Sequence, residues 1–171
     1  MILSEILRRA RNILNDKVVP QLWDDQELTD YLNDSIDEVC RVCRVIIDSG
    51  DPSVCHIGVV DGRERYALDP RIIEVVRAIF TDSTISNKSL VNVDRNEYMN
   101  NLSFYKSSNL ATPRYYTMEG SWLILSPVPD KSASVNLEVV RLPLVSILPT
   151  QSWFEPEIPV RYHLYLVDGV V

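Results

Sequence analysis

The stretch WDDQELTDYLNDSIDEV, residues 23 to 39, decides the fold. Asp24 stands just before an apolar-periodic run and Glu27 three residues later, the pattern of a capping box. Trp23 and Leu28 fall where a hydrophobic staple would hold the entering chain. Leu28, Tyr31, Leu32, Ile36, Val39, Cys43, Ile46 and Ile47 then recur at helical spacing until Gly50-Asp51-Pro52 breaks the pattern. The spacing predicts a helix of about 23 residues, roughly 35 Å long, with Cys40 and Cys43 on its packed side. Asp25, Glu27 and Asp30 load its start and Arg41 and Arg44 its end, as the helix dipole favours. A single long helix cannot bury its own apolar stripe, so other helices must pack on it.

Those partners lie at the two ends of the chain. Leu3, Ile6, Leu7, Ala10, Ile13 and Leu14 predict a first helix over about residues 4 to 16, with Ser4 as cap. Arg8, Arg9 and Arg11 are expected on its solvated face. At the other end, prolines 143, 149, 156 and 159 punctuate a connector, and Pro159 suits the first turn of a helix. Val160, His163, Leu164, Val167, Val170 and Val171 continue at helical spacing. Because nothing caps this helix, it is expected to continue beyond Val171 in the native protein.

Between these ends the period changes. Residues 54 to 60 and 63 to 68 flank Asp61-Gly62 and predict a hairpin, since Asp-Gly supplies the positive φ of a type I′ turn. The β-branched run at 72 to 80 predicts a strand, with a helix as its rival. Asp94 caps a short helix to about Leu102, and residues 103 to 112 form an exposed loop. Residues 114 to 118, 121 to 126 and 134 to 142 are expected as three strands in meander order. The fold class is therefore α+β: a helical bundle of two N-terminal helices and a C-terminal helix, with an inserted antiparallel β unit. Its parts are 1 to 52 for the N-terminal helices, 53 to 143 for the β domain, and 144 to 171 for the Pro-rich connector and last helix.

Composition narrows the function. Over 171 residues, 46% hydrophobic content is enough for a core and excludes a disordered chain. The five glycines (50, 58, 62, 120, 169) never cluster, so no phosphate-cradling loop can be written. Only His56 and His163 are present, which excludes multi-histidine metal sites. With 17 Lys+Arg against 24 Asp+Glu the net charge is -7, the wrong sign for a protein that gains affinity by neutralising phosphates. Thirteen of the cations are Arg, a residue favoured for planar pairing at interfaces. No stretch reaches the roughly 18 apolar residues of a membrane span, and no signal peptide is visible, so cytoplasmic production is expected.

The chain offers little catalytic material. Cys40 and Cys43 form a C-x-x-C inside a helical pattern, and Cys55-His56 follows without a second pair, short of four well-placed zinc ligands. The odd cysteine count fits reduced thiols. His163 beside Tyr162 and Tyr165 reads as packing or interface sooner than as an acid/base, and paired carboxylates are accounted for by capping and solvation. Tyr115-Tyr116, Trp122 and Trp153-Phe154 lack the interleaved cations of a single-strand platform. No catalytic residue, cofactor site or metal site is assigned.

The ordered set WDDQELTDYLNDSIDEV (23 to 39), RYALDPRIIEVVRA (65 to 78), TPRYY (112 to 116) leading into SWLILSPVPD (121 to 130), VVRLPL (139 to 144) and EIPVRYHLYLVDG (157 to 169) resembles the head-to-tail adaptor, or connector, family of tailed bacteriophages. The resemblance implies a virion neck protein: a homo-oligomeric ring, commonly of twelve copies, beneath the portal protein and contacting tail or nozzle proteins. Double-stranded DNA would pass through it without specific binding, past an acidic lumen. It implies no cofactor, no catalytic residues and no membrane partner. In such a ring each copy presents two different patches. Glu27, Asp30, Asp34, Arg41, Arg44, Arg161, Tyr162 and His163 are the interface candidates, with the acidic face of the second helix set against arginines of a neighbour. Two alternatives stay open. Another neck or tail ring protein (stopper, tube or tail-terminator) would lack the three-helix staves, and a cytoplasmic enzyme with an unrecognised site would show a deep polar pocket of converging carboxylates or His163.

Overall fold

The computed structural model describes residues 1–84, 87–105 and 110–171. The chain divides into two compact units: residues Met1–Ile46 with Arg141–Val171, and Ile47–Val140. The architecture is α+β, as the periodicities predict.

The first unit contains α1 (Leu3–Ile13), α2 (Asp25–Cys43) and, after a connector and a single 3-10 turn at Val160–Tyr162, α6 (His163–Val170). Leu3, Ile6, Leu7 and Ala10 of α1, Leu28, Leu32, Ile36 and Cys40 of α2, Ile147 and Ile158 of the connector, and Leu166, Val167 and Val170 of α6 are its buried apolar residues. Ser4 does not cap α1. The N-cap position is Ile2, and the Leu3 and Ser4 amides instead donate to the carbonyls of Phe154 (2.8 Å) and Ser152 (3.0 Å). The connector thus supplies acceptors for two of the four amides a helix start leaves unpaired. The Asn33 side chain fixes the same connector to α2, donating to the Ile147 carbonyl and accepting from its amide, both at 2.9 Å.

The capping box of α2 forms as read: the Glu27 amide donates to Asp24 Oδ1 at 2.7 Å and the Asp24 amide to Glu27 Oε2 at 3.4 Å. Its end differs from expectation. The helix stops at Cys43, where Arg44 takes left-handed φ 52°, and Ile47 and Asp48 pair with Val140 and Val139 instead of continuing the turn. Strand pairing has claimed the β-branched run 45 to 47, whose residues fit a pleated surface better than a helix. Cys43 is consequently exposed. In α6 the buried set is His163, Leu166, Val167 and Val170, while Val160 and Leu164 are exposed, so the expected stripe is rotated by the 3-10 entry.

In the second unit β1 (Ile47–Asp48), α3 (Pro52–Cys55), β2 (His56–Val59), β3 (Arg65–Ala67), β4 (Ile72–Thr81), β5 (Lys88–Ser89) and β6 (Val91–Asn92) are followed by α4 (Arg95–Asn100), α5 (Leu102–Tyr105), β7 (Tyr115–Glu119), β8 (Trp122–Ser126) and β9 (Ala133–Arg141). Among the described residues they form a five-stranded sheet, ordered β1-β9-β4-β5 with β2 also on β9, and a four-stranded sheet ordered β3-β8-β7-β6. The strand over 72 to 80 and the β7–β8 hairpin across Gly120 (φ 59°) form as predicted.

Two expectations are corrected. The turn at Asp61-Gly62 exists, with Gly62 at φ 72°, but β2 pairs with β9 and β3 with β8, so it links two sheets and closes no hairpin. The Tyr66 hydroxyl holds that turn in place of a ladder, accepting from the Val60 amide (3.1 Å) and lying 3.0 and 2.7 Å from the Val60 and Arg63 carbonyls. The meander also breaks after β8, because β9 joins the other sheet. Of the expected loop 103 to 112, residues up to Tyr105 are helical, and 106–109 lie outside the described residues. Tyr116, Leu123 and Leu125 are buried on one face of the β7–β8 hairpin, and Val93, Tyr98, Tyr105 and Ile124 cluster on the other.

Gly169 marks the tightest crossing of α6 on α2. A Cβ there would meet the Ser35 side chain, with Ser35 Cβ at 2.8 Å, and Ser35 Oγ lies 2.9 Å from the Gly169 carbonyl. Gly169→Ala is expected to lower stability by about 2 kcal/mol through overpacking, measured by urea unfolding.

Candidate subunit interface

The outward face of α2 follows from its buried one. Leu28, Leu32, Ile36 and Cys40 face inward, so the residues three and four apart at 27, 30, 34, 38 and 41 form the opposite row, and all five are exposed. Glu27 is partly engaged by the capping box, and Asp30 accepts from Gln26 Nε2 at 2.7 Å. Asp34 and Arg41 make no hydrogen bond or ion pair among the described residues. Asp37, half-buried beside this row, has its carboxyl pushed above the ordinary value of 3.8 by burial, with Asp34 adding to the effect and Arg41 offsetting part of it. The row is an exposed, mostly acidic surface with Arg41 at its end.

The remaining candidates separate. Arg44 caps the end of α2. Arg161 lies in the 3-10 turn before α6 with its guanidinium carbon 4.9 Å from the Tyr162 ring centroid, and it pairs with none of Glu27, Asp30 or Asp34. His163 is not a surface residue: it is 1% exposed, with Nε2 2.8 Å from the Ile158 carbonyl and Nδ1 2.7 Å from the Met1 amine. Buried in this way it offers a neighbour no surface.

The expectation of three solvated arginines on α1 also fails. Arg8 is exposed and Arg9 pairs with Glu5 at 2.9 Å, but Arg11 is buried. Its Nη1 donates to Asp16 Oδ2 (2.7 Å) and the Trp23 carbonyl (2.8 Å), and its Nη2 to Asp25 Oδ1 (2.7 Å). Asp16 in turn accepts from the amides of Leu22 (2.9 Å) and Trp23 (3.2 Å). The Leu22 amide, then the Trp23 amide and Arg11, hold the Asp16 carboxyl below 3.8 against the opposing effect of burial. The sequence does carry a signal for this: Leu3, Leu7 and Arg11 form one i, i+4 row, so Arg11 continues the buried side. The clamp fixes the loop at 17–22, on which Val18, Val19 and Leu22 are exposed by 75%, 85% and 80%.

The cysteines form no common site. Cys40 is buried, and burial, Asp37 and Glu157 push its thiol up to about 11, leaving it protonated at neutral pH. Cys43 is exposed and Cys55 is buried in the other unit. Among the described residues no group of three or more His, Cys, Asp or Glu side chains could hold a metal ion, and no helix is long and apolar enough to cross a membrane.

A family model described as SU10 adaptor protein matches residues 1–171, the full length of the chain. The chain belongs to the SU10 adaptor protein family. No curated protein matches it. The SU10 adaptors are phage head-to-tail adaptors, structural proteins of the virion neck. In this SU10 adaptor the charged row of α2 and the apolar side chains of the clamped loop at 17–22 are both exposed.

Two outcomes test the clamp. Arg11→Met leaves the Asp16 carboxylate with only its two amide donors and is expected to lower the urea unfolding midpoint. The lowered Asp16 value means its contribution is present above the unfolded value of 3.8 and is lost as pH falls through the folded one. Asp16→Asn should therefore be less stable than the parent at neutral pH, with the difference shrinking below pH 3.8 in a series of unfolding curves.

Proposed function

We propose that this chain is the ring-forming adaptor of a phage neck, seated beneath the portal protein and presenting a platform to tail or nozzle proteins. The observation that carries the reading is the exposed, mostly acidic row on α2, in a chain matched along its whole length by the adaptor family. A closed ring needs two unlike patches on each copy, and a rigid helix with one charged face supplies one of them. Pairing it with arginines of the next copy joins copies without an apolar surface that would aggregate before assembly.

The charge balance supports DNA passage in the same reading. A net charge of -7 gives the duplex nothing to bind tightly, so DNA moves through the ring during packaging and ejection. Family membership supports a structural and not a catalytic role, with twelve copies the commonest ring for such adaptors.

The test is the assembled mass and the electron-microscope image of the purified protein, alone and mixed with its portal. A ring with a channel of about 20 Å or more, the scale that duplex DNA sets, is the expected result. A protein that stays monomeric even with the portal overturns the reading.

A further inference from the structure

Within the helical unit, the side of α1 carries a cleft of about 370 Å³ that the acidic row of α2 does not line. Three cations, Arg8, Arg11 and Lys17, and two carboxylates, Asp16 and Asp25, form its charged walls. The carboxylates are already answered. Arg11, with its side chain 10% exposed, bonds to both, and Asp16 also takes two amide hydrogens. Arg8 and Lys17 are exposed and make no hydrogen bond or ion pair among the described residues. On a chain of net charge -7 the cleft therefore has a local excess of positive charge. Its uncharged polar lining, including Asn12 and Gln21, can hydrogen-bond a carboxylate that enters.

The complementary group is on the same chain and cannot reach the cleft within one copy. Asp30 and Asp34 project from α2 opposite Leu28, Leu32 and Ile36, which face inward. We propose that the cleft is the socket for the acidic face of α2 from an adjacent copy, with Arg8 and Lys17 pairing with that copy's Asp30 and Asp34. This rests on the ring reading above and names the second patch that such a ring requires. The contact is heterologous: each copy offers its α2 row to one neighbour and its cleft to the other. Duplex DNA is the lesser match on a chain whose net charge is -7.

Two charge-reversed variants of the full chain test the socket. Arg8→Glu with Lys17→Glu makes both patches acidic, and Asp30→Lys with Asp34→Lys makes both basic. All four positions are exposed, and unfolding midpoints close to the parent's establish that the variants fold. Each variant alone is expected to assemble at least about tenfold more weakly, read by sedimentation or mass photometry at low salt. An equimolar mixture should recover assembly, because alternating copies then set acid against base at every contact. Rings that form normally from either variant overturn the socket while leaving the ring reading standing. So does loss of assembly that the mixture fails to restore in variants that remain folded. A parent protein that forms no ring with or without portal overturns both. If Arg8→Glu with Lys17→Glu leaves assembly intact but abolishes binding to a DNA duplex at low salt, the cleft serves DNA and the proposal falls.

Discussion

The first unit depends on one buried cation. Arg11 places a guanidinium among two carboxylates and a carbonyl, at the point where α1 ends and α2 begins. Arg can do this because its planar fork donates in fixed directions, whereas a lysine would offer a single mobile point charge. The arrangement is closed at every atom that matters. Asp16, which Arg11 neutralises, also receives the Leu22 and Trp23 amides, so the backbone is held on the far side of the loop as well. Asn15 at φ 56° and the Asp16 amide bond to the Arg11 carbonyl finish α1 with a Schellman turn, bringing Asp16 back toward its partner. Local backbone geometry and the buried ion pair therefore specify the same path.

That economy explains an otherwise awkward loop. Residues 17–22 contain exposed Val18, Val19 and Leu22 and little that packs beneath them. An apolar anchor would have pulled these side chains inward. The polar clamp fixes the loop at its ends and leaves its apolar side chains outward.

What could be read from the chain was the information that is local. The capping box of α2, the β-branched run at 72 to 80 and the Gly120 hairpin each have their causes within a few residues, and each formed. The errors came where a distant segment decided the outcome. Residues 45 to 47 match a helical stripe, but β9, some ninety residues later, offers Ile47 and Asp48 a strand partner. Asp61-Gly62 makes its turn, yet the flanking strands find β9 and β8 before each other. The start of α1 is capped by carbonyls of Ser152 and Phe154, which no pattern near Ser4 encodes. Among the interface candidates the exposure of the acidic row was legible from period alone and the burial of His163 was not, while the burial of Arg11 was legible in principle from its i, i+4 row but was outweighed by its neighbours Arg8 and Arg9.

The distribution of charge, more than its sum, connects this fold to assembly. A net -7 spread evenly would make every copy repel every other. Here the buried cation is consumed internally by Asp16 and Asp25, while Arg8 and Lys17 on one side and Asp34 on another make no hydrogen bond or ion pair among the described residues. Asp37, half-buried beside the row, has its carboxyl raised chiefly by burial, and Arg41 on the same helix offsets more than Asp34 adds. Two identical acidic rows repel face to face, whereas an acidic row set against a cationic patch attracts, so a surface divided in this way disfavours isologous pairing and suits the head-to-tail contact that the proposed ring requires.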